Sequence, residues 1–150
     1  MFFYKINKTG FTLVEMILVL AMLAILFSMA SPFYQKYQSK NDLDLAVISV
    51  AQNLRRAQTL AQAVDNNSTW GLYLQSGSLT VFRGTSYLTR DSGFDEKINM
   101  PEVVVPSGLS EVIFAKFTGL PLNVGTMTLT NTSINEIKNI TINNKGMVDY

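Results

Sequence analysis

The sequence predicts an α+β fold in which one long N-terminal helix carries two different surfaces, a first half suited to a membrane and a second half packed on an antiparallel β-sheet. Three observations point there. Phe11 to Ala30, FTLVEMILVLAMLAILFSMA, runs without Gly, Pro, Lys, Arg or Asp, and only Thr12, Glu15 and Ser28 interrupt it with polar groups. Leu43, Val47, Val50, Leu54, Ala57, Ala61 and Val64 then recur at alternating spacings of four and three, which is one apolar stripe along a helix. Beyond Asn67 the chain breaks into short β-branched and aromatic runs separated by Gly, Asn and Ser.

The totals bound the function. A chain of 150 residues suits one modest domain, and the part after the apolar run is long enough for a core of its own. Lys5 and Lys8 precede the run; from Ser31 onward ten basic residues balance ten acidic ones, so that part is neutral. A neutral domain gives no composition-level argument for nucleic acid. There is no Cys and no His. The usual zinc ligand sets, Ser-His-Asp and Cys-His catalysis, a disulfide framework and a lipid-modified cysteine are thereby excluded. No Gly-rich phosphate loop is present, and no carboxylate pair can be placed together from sequence. No catalytic residue, metal or cofactor is implied, and an enzyme is not expected.

The N-terminal ten residues, MFFYKINKTG, carry two lysines and no acid. Positive charge before an apolar run holds that end in the cytoplasm. As a helix the run is roughly 30 Å long, enough for a bilayer core. Glu15 does not suit a plain anchor, because a bare carboxylate in apolar surroundings is costly and calls for a partner. Three readings compete: an uncleaved anchor, a secretory signal cut after Ala30 where Ser28-Met29-Ala30 supplies small residues, and a cut before the apolar run at Gly10. The third accounts for more. A cut at Gly10 creates a charged amine on Phe11, four residues from Glu15 on the same helical face. Glu15 also lies near the helix start, where the dipole favours an anion.

Lys8-Thr9-Gly10-Phe11-Thr12-Leu13-Val14-Glu15 resembles the processing site of type IV pilins and pseudopilins: a basic leader, Gly, Phe, Thr-Leu, a Glu at the fifth position after the cut, then an unbroken apolar run. The resemblance implies that a prepilin peptidase cuts after Gly10 and methylates the new amino terminus on Phe11. It implies further that Glu15 neutralises the amine of a neighbouring subunit during assembly, and that the fold is type IV pilin-like. Residues 1–10 are then a cleaved leader, 11–32 a transmembrane and assembly helix, and 33–150 a soluble pilin-like domain.

Ser31-Pro32 interrupts the helical pattern, and a kink is expected there because Pro removes one donor and clashes with the preceding turn. Pro32 also suits a membrane exit. On the following helix, Asp42, Ser49, Gln52, Arg56 and Thr59 face away from the stripe, while Leu45 and Ile48 lie off it. The alternation of four and three would also serve a coiled coil, but strands follow at once and one stripe needs one sheet. Asp65 to Ser68 ends the helix.

Thr69–Leu74 and Ser78–Phe82 read as a hairpin around Gln75-Ser76-Gly77. Thr85 to Pro101 reads as an irregular exposed loop. Its Asp91, Asp95 and Glu96 lack the alternating spacing of a calcium loop. Further strands are expected at Val103–Val105, Glu111–Phe117 and Thr126–Thr130, with a closing hairpin of Ile137–Ile142 and Gly146–Tyr150. Asn-x-Ser/Thr triplets such as Asn139-Ile140-Thr141 follow from a composition rich in Asn and Thr.

Ile113-Phe114, Phe117-Thr118-Gly119-Leu120-Pro121, Gly125 to Leu129, Ile140-Thr141-Ile142 and Gly146-Met147-Val148 resemble the GspH/FimT group of minor pilins and pseudopilins. Some members of that kind bind DNA through basic residues near the carboxyl end. Here Lys116, Lys138 and Lys145 are offset by Glu111, Glu136 and Asp149, and no Arg lies beyond Arg90, so charge does not support nucleic acid as a partner. The resemblance implies a structural subunit of a type IV pilus or a type II secretion pseudopilus. Its partners would be other pilins or pseudopilins, the prepilin peptidase and the inner membrane, with the soluble domain outside the cytoplasm. The competing reading is a membrane-anchored or secreted β-rich binding domain, such as an adhesin.

Overall fold

The computed structural model describes residues 10–150, except the side chains of residues 29–33. The expected leader therefore lies outside the described residues apart from Gly10, and so does the Pro32 side chain on which the expected kink rests. The chain divides into two compact units, one ending at Gln35 and one from Lys36 to Tyr150. Helix α1, Leu13–Gln62, contributes to both.

In the first unit α1 carries the apolar run. Among the described residues no helix is long and apolar enough to cross a membrane. The described side chains of the run end at Ser28, and Leu13 to Ser28 rises about 24 Å, short of the roughly 30 Å of a bilayer core. Its last residues, Met29 and Ala30, fall among those whose side chains are not described.

The second unit is built on the stripe. Leu43, Val47, Val50, Leu54, Ala57 and Ala61 are buried, together with Ala46, and share one core with strand residues. Leu45 and Ile48, which the periodicity set off the stripe, are exposed. The stripe stops one position earlier than its spacing suggests. Val64 leaves the helix with φ 57, a left-handed conformation that is uncommon for a β-branched residue, and Asn66 and Asn67 follow at φ 50 and 54.

The strands form two four-stranded antiparallel sheets where one was expected. The first has the order β3-β2-β1-β5, from β1 (Trp70–Gln75), β2 (Ser78–Arg83), β3 (Asp91–Asn99) and β5 (Glu111–Phe114). The second has the order β4-β6-β7-β8, from β4 (Val104–Gly108), β6 (Gly125–Asn131), β7 (Glu136–Ile142) and β8 (Val148–Asp149). After β3 the chain turns through Pro101, whose carbonyl accepts from the Val104 amide at 3.0 Å. Strand β4 then pairs with β6 and so starts the second sheet. Leu72, Leu74, Leu79, Val81, Val112 and Phe114 of the first sheet meet Val104, Met127, Leu129, Ile140 and Ile142 of the second in the core that the helix stripe completes. Gly71 is required where Phe82 crosses it: a Cβ there would come 2.6 Å from the Phe82 ring and 2.8 Å from the Val112 carbonyl.

Three local expectations are corrected. Much of the loop expected at Thr85 to Pro101 is strand β3, nine residues long. Its charges obscured it; each of its three carboxylates finds an arginine, as Asp91 pairs with Arg83, Asp95 with Arg90 and Glu96 with Arg56. The strand expected to reach Phe117 ends at Phe114, because Ala115 turns the chain: its amide donates to Leu120 O and its carbonyl accepts from the Gly119 amide. The last strand is two residues, not the five from Gly146 to Tyr150.

Candidate processing and assembly site

Gly10, Phe11 and Thr12 lie outside regular structure, and α1 begins at Leu13. Gly10 is exposed, and among the described residues a Cβ built on it would meet nothing within 4 Å. Phe11 is 77% exposed. The peptide between them is therefore open on the described side. Thr12 Oγ1 accepts the Glu15 amide at 3.2 Å, and the Thr12 carbonyl accepts the Met16 amide at 3.2 Å. That makes Thr12 the N-cap and places Glu15 in the first turn, where its carboxylate complements the free N–H groups and the positive end of the helix dipole. Among the described residues Glu15 makes no ion pair. The capping role of Thr12 was missed at the level of spacing, although Thr-x-x-Glu before an apolar run is a recognisable N-terminal signature.

The large apolar side chains from Leu13 to Phe27 are 42–76% exposed, on every face of the helix. Burying a side chain of this kind is favourable by about 1.5–3 kcal/mol. Their summed exposure is a penalty on the order of 20 kcal/mol in water, which a lipid or protein surrounding would remove. Ser28 satisfies its hydroxyl within the helix, donating to Ile25 O at 2.7 Å, so it adds no unpaired polar group to the run. Pro32 lies within the helical backbone of α1, as does Ala30.

The charged residues of the second unit do not converge. Lys138 pairs with Asp44 on the packed helix at 3.3 Å, and Lys116 donates to Asn67 in the turn beyond its C-terminal end at 3.0 Å, so the two lysines are tied to separate places. Lys145 is exposed on the β7–β8 turn. The acidic residues considered for calcium diverge to three arginines, and among the described residues no group of three or more acidic side chains is arranged to hold a metal. The hydrogen bond to Asp95 raises the Arg90 pKa above its ordinary value, so this guanidinium stays charged while it covers the Tyr87 ring at 3.7 Å.

Residues 5–31 match the prokaryotic N-terminal methylation motif, a stretch that includes Gly10, Phe11 and Glu15. The chain thus carries the signal of type IV pilin and pseudopilin precursors, the substrates of prepilin peptidase, on a long N-terminal helix whose second half packs against antiparallel sheets. No curated protein and no solved structure matches the chain.

Proposed function

We propose that the protein is a minor pilin or pseudopilin of the GspH/FimT kind, a structural subunit without catalytic activity in a type IV pilus or a type II secretion pseudopilus. The observation that carries the reading is the methylation motif over residues 5–31, coinciding with an open Gly10–Phe11 peptide and a carboxylate in the first helical turn. The precursor waits in the inner membrane, held by residues 11–32, with its amino end in the cytoplasm and residues 33–150 outside. Prepilin peptidase adds water across the Gly10–Phe11 peptide, leaving a carboxylate on Gly10 and an ammonium on Phe11. The ammonium then loses a proton, and the free amine takes a methyl group from a sulfonium donor as the S–CH3 bond breaks, leaving a thioether. In the filament Glu15 neutralises the Phe11 amine of a neighbour, and the exposed apolar run is buried against equivalent helices.

The competing cut after Ala30 falls inside α1, where a protease that needs an extended main chain would have to unwind the helix first. The mature amino terminus separates the two. Intact-mass measurement of the membrane-extracted protein is expected to show loss of Met1 to Gly10 and one added methyl on Phe11. Gly10→Val is expected to block the cut, because a branched side chain crowds the scissile bond. A mature chain beginning at Ser31, or an uncut chain beside an active prepilin peptidase, would overturn the reading.

A further inference from the structure

Helix α1 could start earlier than it does. Thr9 is the next residue upstream with a capping side chain, and a start there would draw Gly10 and Phe11 into the first turn. A peptide wound into a helix is a poor protease substrate, since its carbonyl is engaged and its neighbours crowd it. The described chain avoids this because Thr12 Oγ1 accepts the Glu15 amide at 3.2 Å, which satisfies one of the first-turn donors from a side chain. In apolar surroundings such a donor must find a partner, and without a side-chain cap the nearest source is an upstream carbonyl, reached by extending the helix.

We propose that Thr12 is a positioning residue for processing: its cap fixes the start of α1 at Leu13 and keeps the Gly10–Phe11 peptide extended for the peptidase. The inference rests on the cut at Gly10, and two further observations support it. Residues 10–12 lie outside regular structure, and among the described residues nothing lies within 4 Å of a Cβ built on Gly10.

The test is a time course of cleavage of the full-length chain in membranes by prepilin peptidase, normalised to the inserted pool. Thr12→Val keeps the shape and removes the hydroxyl; it is expected to be cut about five-fold more slowly, the change in population that a typical lost N-cap produces. Thr12→Ser and Thr12→Asn both keep a capping oxygen, and both are expected to be cut within about two-fold of the parent rate. Asn decides the mechanism, because it caps well but does not resemble threonine in shape. If Thr12→Val were cut at the parent rate, or Thr12→Asn were as slow as Thr12→Val, the capping account would be overturned. In the second case the peptidase would be reading the threonine side chain directly. A parent chain whose mature end is not Phe11 would overturn the cut site, and this inference with it. Normal cutting of both parent and Thr12→Val would remove this inference alone.

Discussion

The two halves of α1 are both helical and both rich in Leu, Val, Ile and Ala, yet they stand in opposite relation to their own chain. From Leu13 to Phe27 the large apolar side chains are 42–76% exposed, whereas Leu43, Val47, Val50, Leu54, Ala57 and Ala61 are 0–5% exposed. The difference lies in arrangement. The first half is apolar all round, so no single sheet could cover it, and a surrounding on every side must come from lipid or from other helices. The second half is apolar on one stripe and, apart from Leu45 and Ile48, largely polar on the other faces, so two sheets of the same chain can satisfy it. A helix of the first kind assembles; a helix of the second kind folds.

Substitutions separate the two roles. A shortened chain that starts near Gln35 and so contains the second unit is expected to be folded and monomeric. Leu54→Asp, which places an unpaired charge where Leu54 is fully buried, is expected to cost more than about 4 kcal/mol and to abolish its cooperative unfolding transition. A helical dimer that survives removal of the strands would break the comparison, since the stripe would then be satisfied between chains.

In the first half the expected effect falls on assembly and spares the fold. Glu15→Leu improves the hydropathy of the run, so insertion and cutting at Gly10 are expected to continue. Incorporation is expected to drop by at least about ten-fold, the equivalent of about 1.4 kcal/mol, because the neighbour's Phe11 amine is left unpaired. Glu15→Asp is expected to be intermediate, with the charge kept and its reach shortened. The measurement is the fraction of subunit in sheared filaments against the membrane pool. Incorporation of the Leu variant at the parent level would show that Glu15 has no part in pairing.

A finer contrast lies within the second half. Leu45 is 63% exposed and Leu54 fully buried, nine residues apart on one helix. Leu45→Ala is expected to change the stability of the soluble unit by less than about 0.5 kcal/mol. Leu54→Ala is expected to cost about 2–5 kcal/mol. Chemical denaturation of the pair reads both, and similar values would mean that the stripe drawn by the spacing is not the packed face.

How much was legible follows the distance over which each feature is encoded. The apolar run, the stripe, the Gly10–Phe11–Glu15 arrangement and the hairpin around Gly77 all depend on residues within a few positions of one another, and each could be read from spacing. Thr12 is equally local, but the spacing that sets Glu15 against an amine is counted from Phe11 and does not touch what satisfies the Glu15 amide.

Sequence by itself determined that this chain has a long two-part helix, an N-terminal methylation motif and an antiparallel β region, since helical periodicity and a short motif are written in consecutive residues. Only the tertiary structure decided that the strands divide into two sheets, that the charged segment Asp91–Asn99 is a strand, and that buried Asn131 reaches back 92 residues to donate to Ser39 O at 2.7 Å. Those features arise from partners brought together by the chain's return on itself. A carboxylate that will meet an arginine forty residues away, as Glu96 meets Arg56, looks in sequence like any carboxylate in a loop. Its neutralisation comes from a side chain on another element, and nothing in the residues beside it records which one.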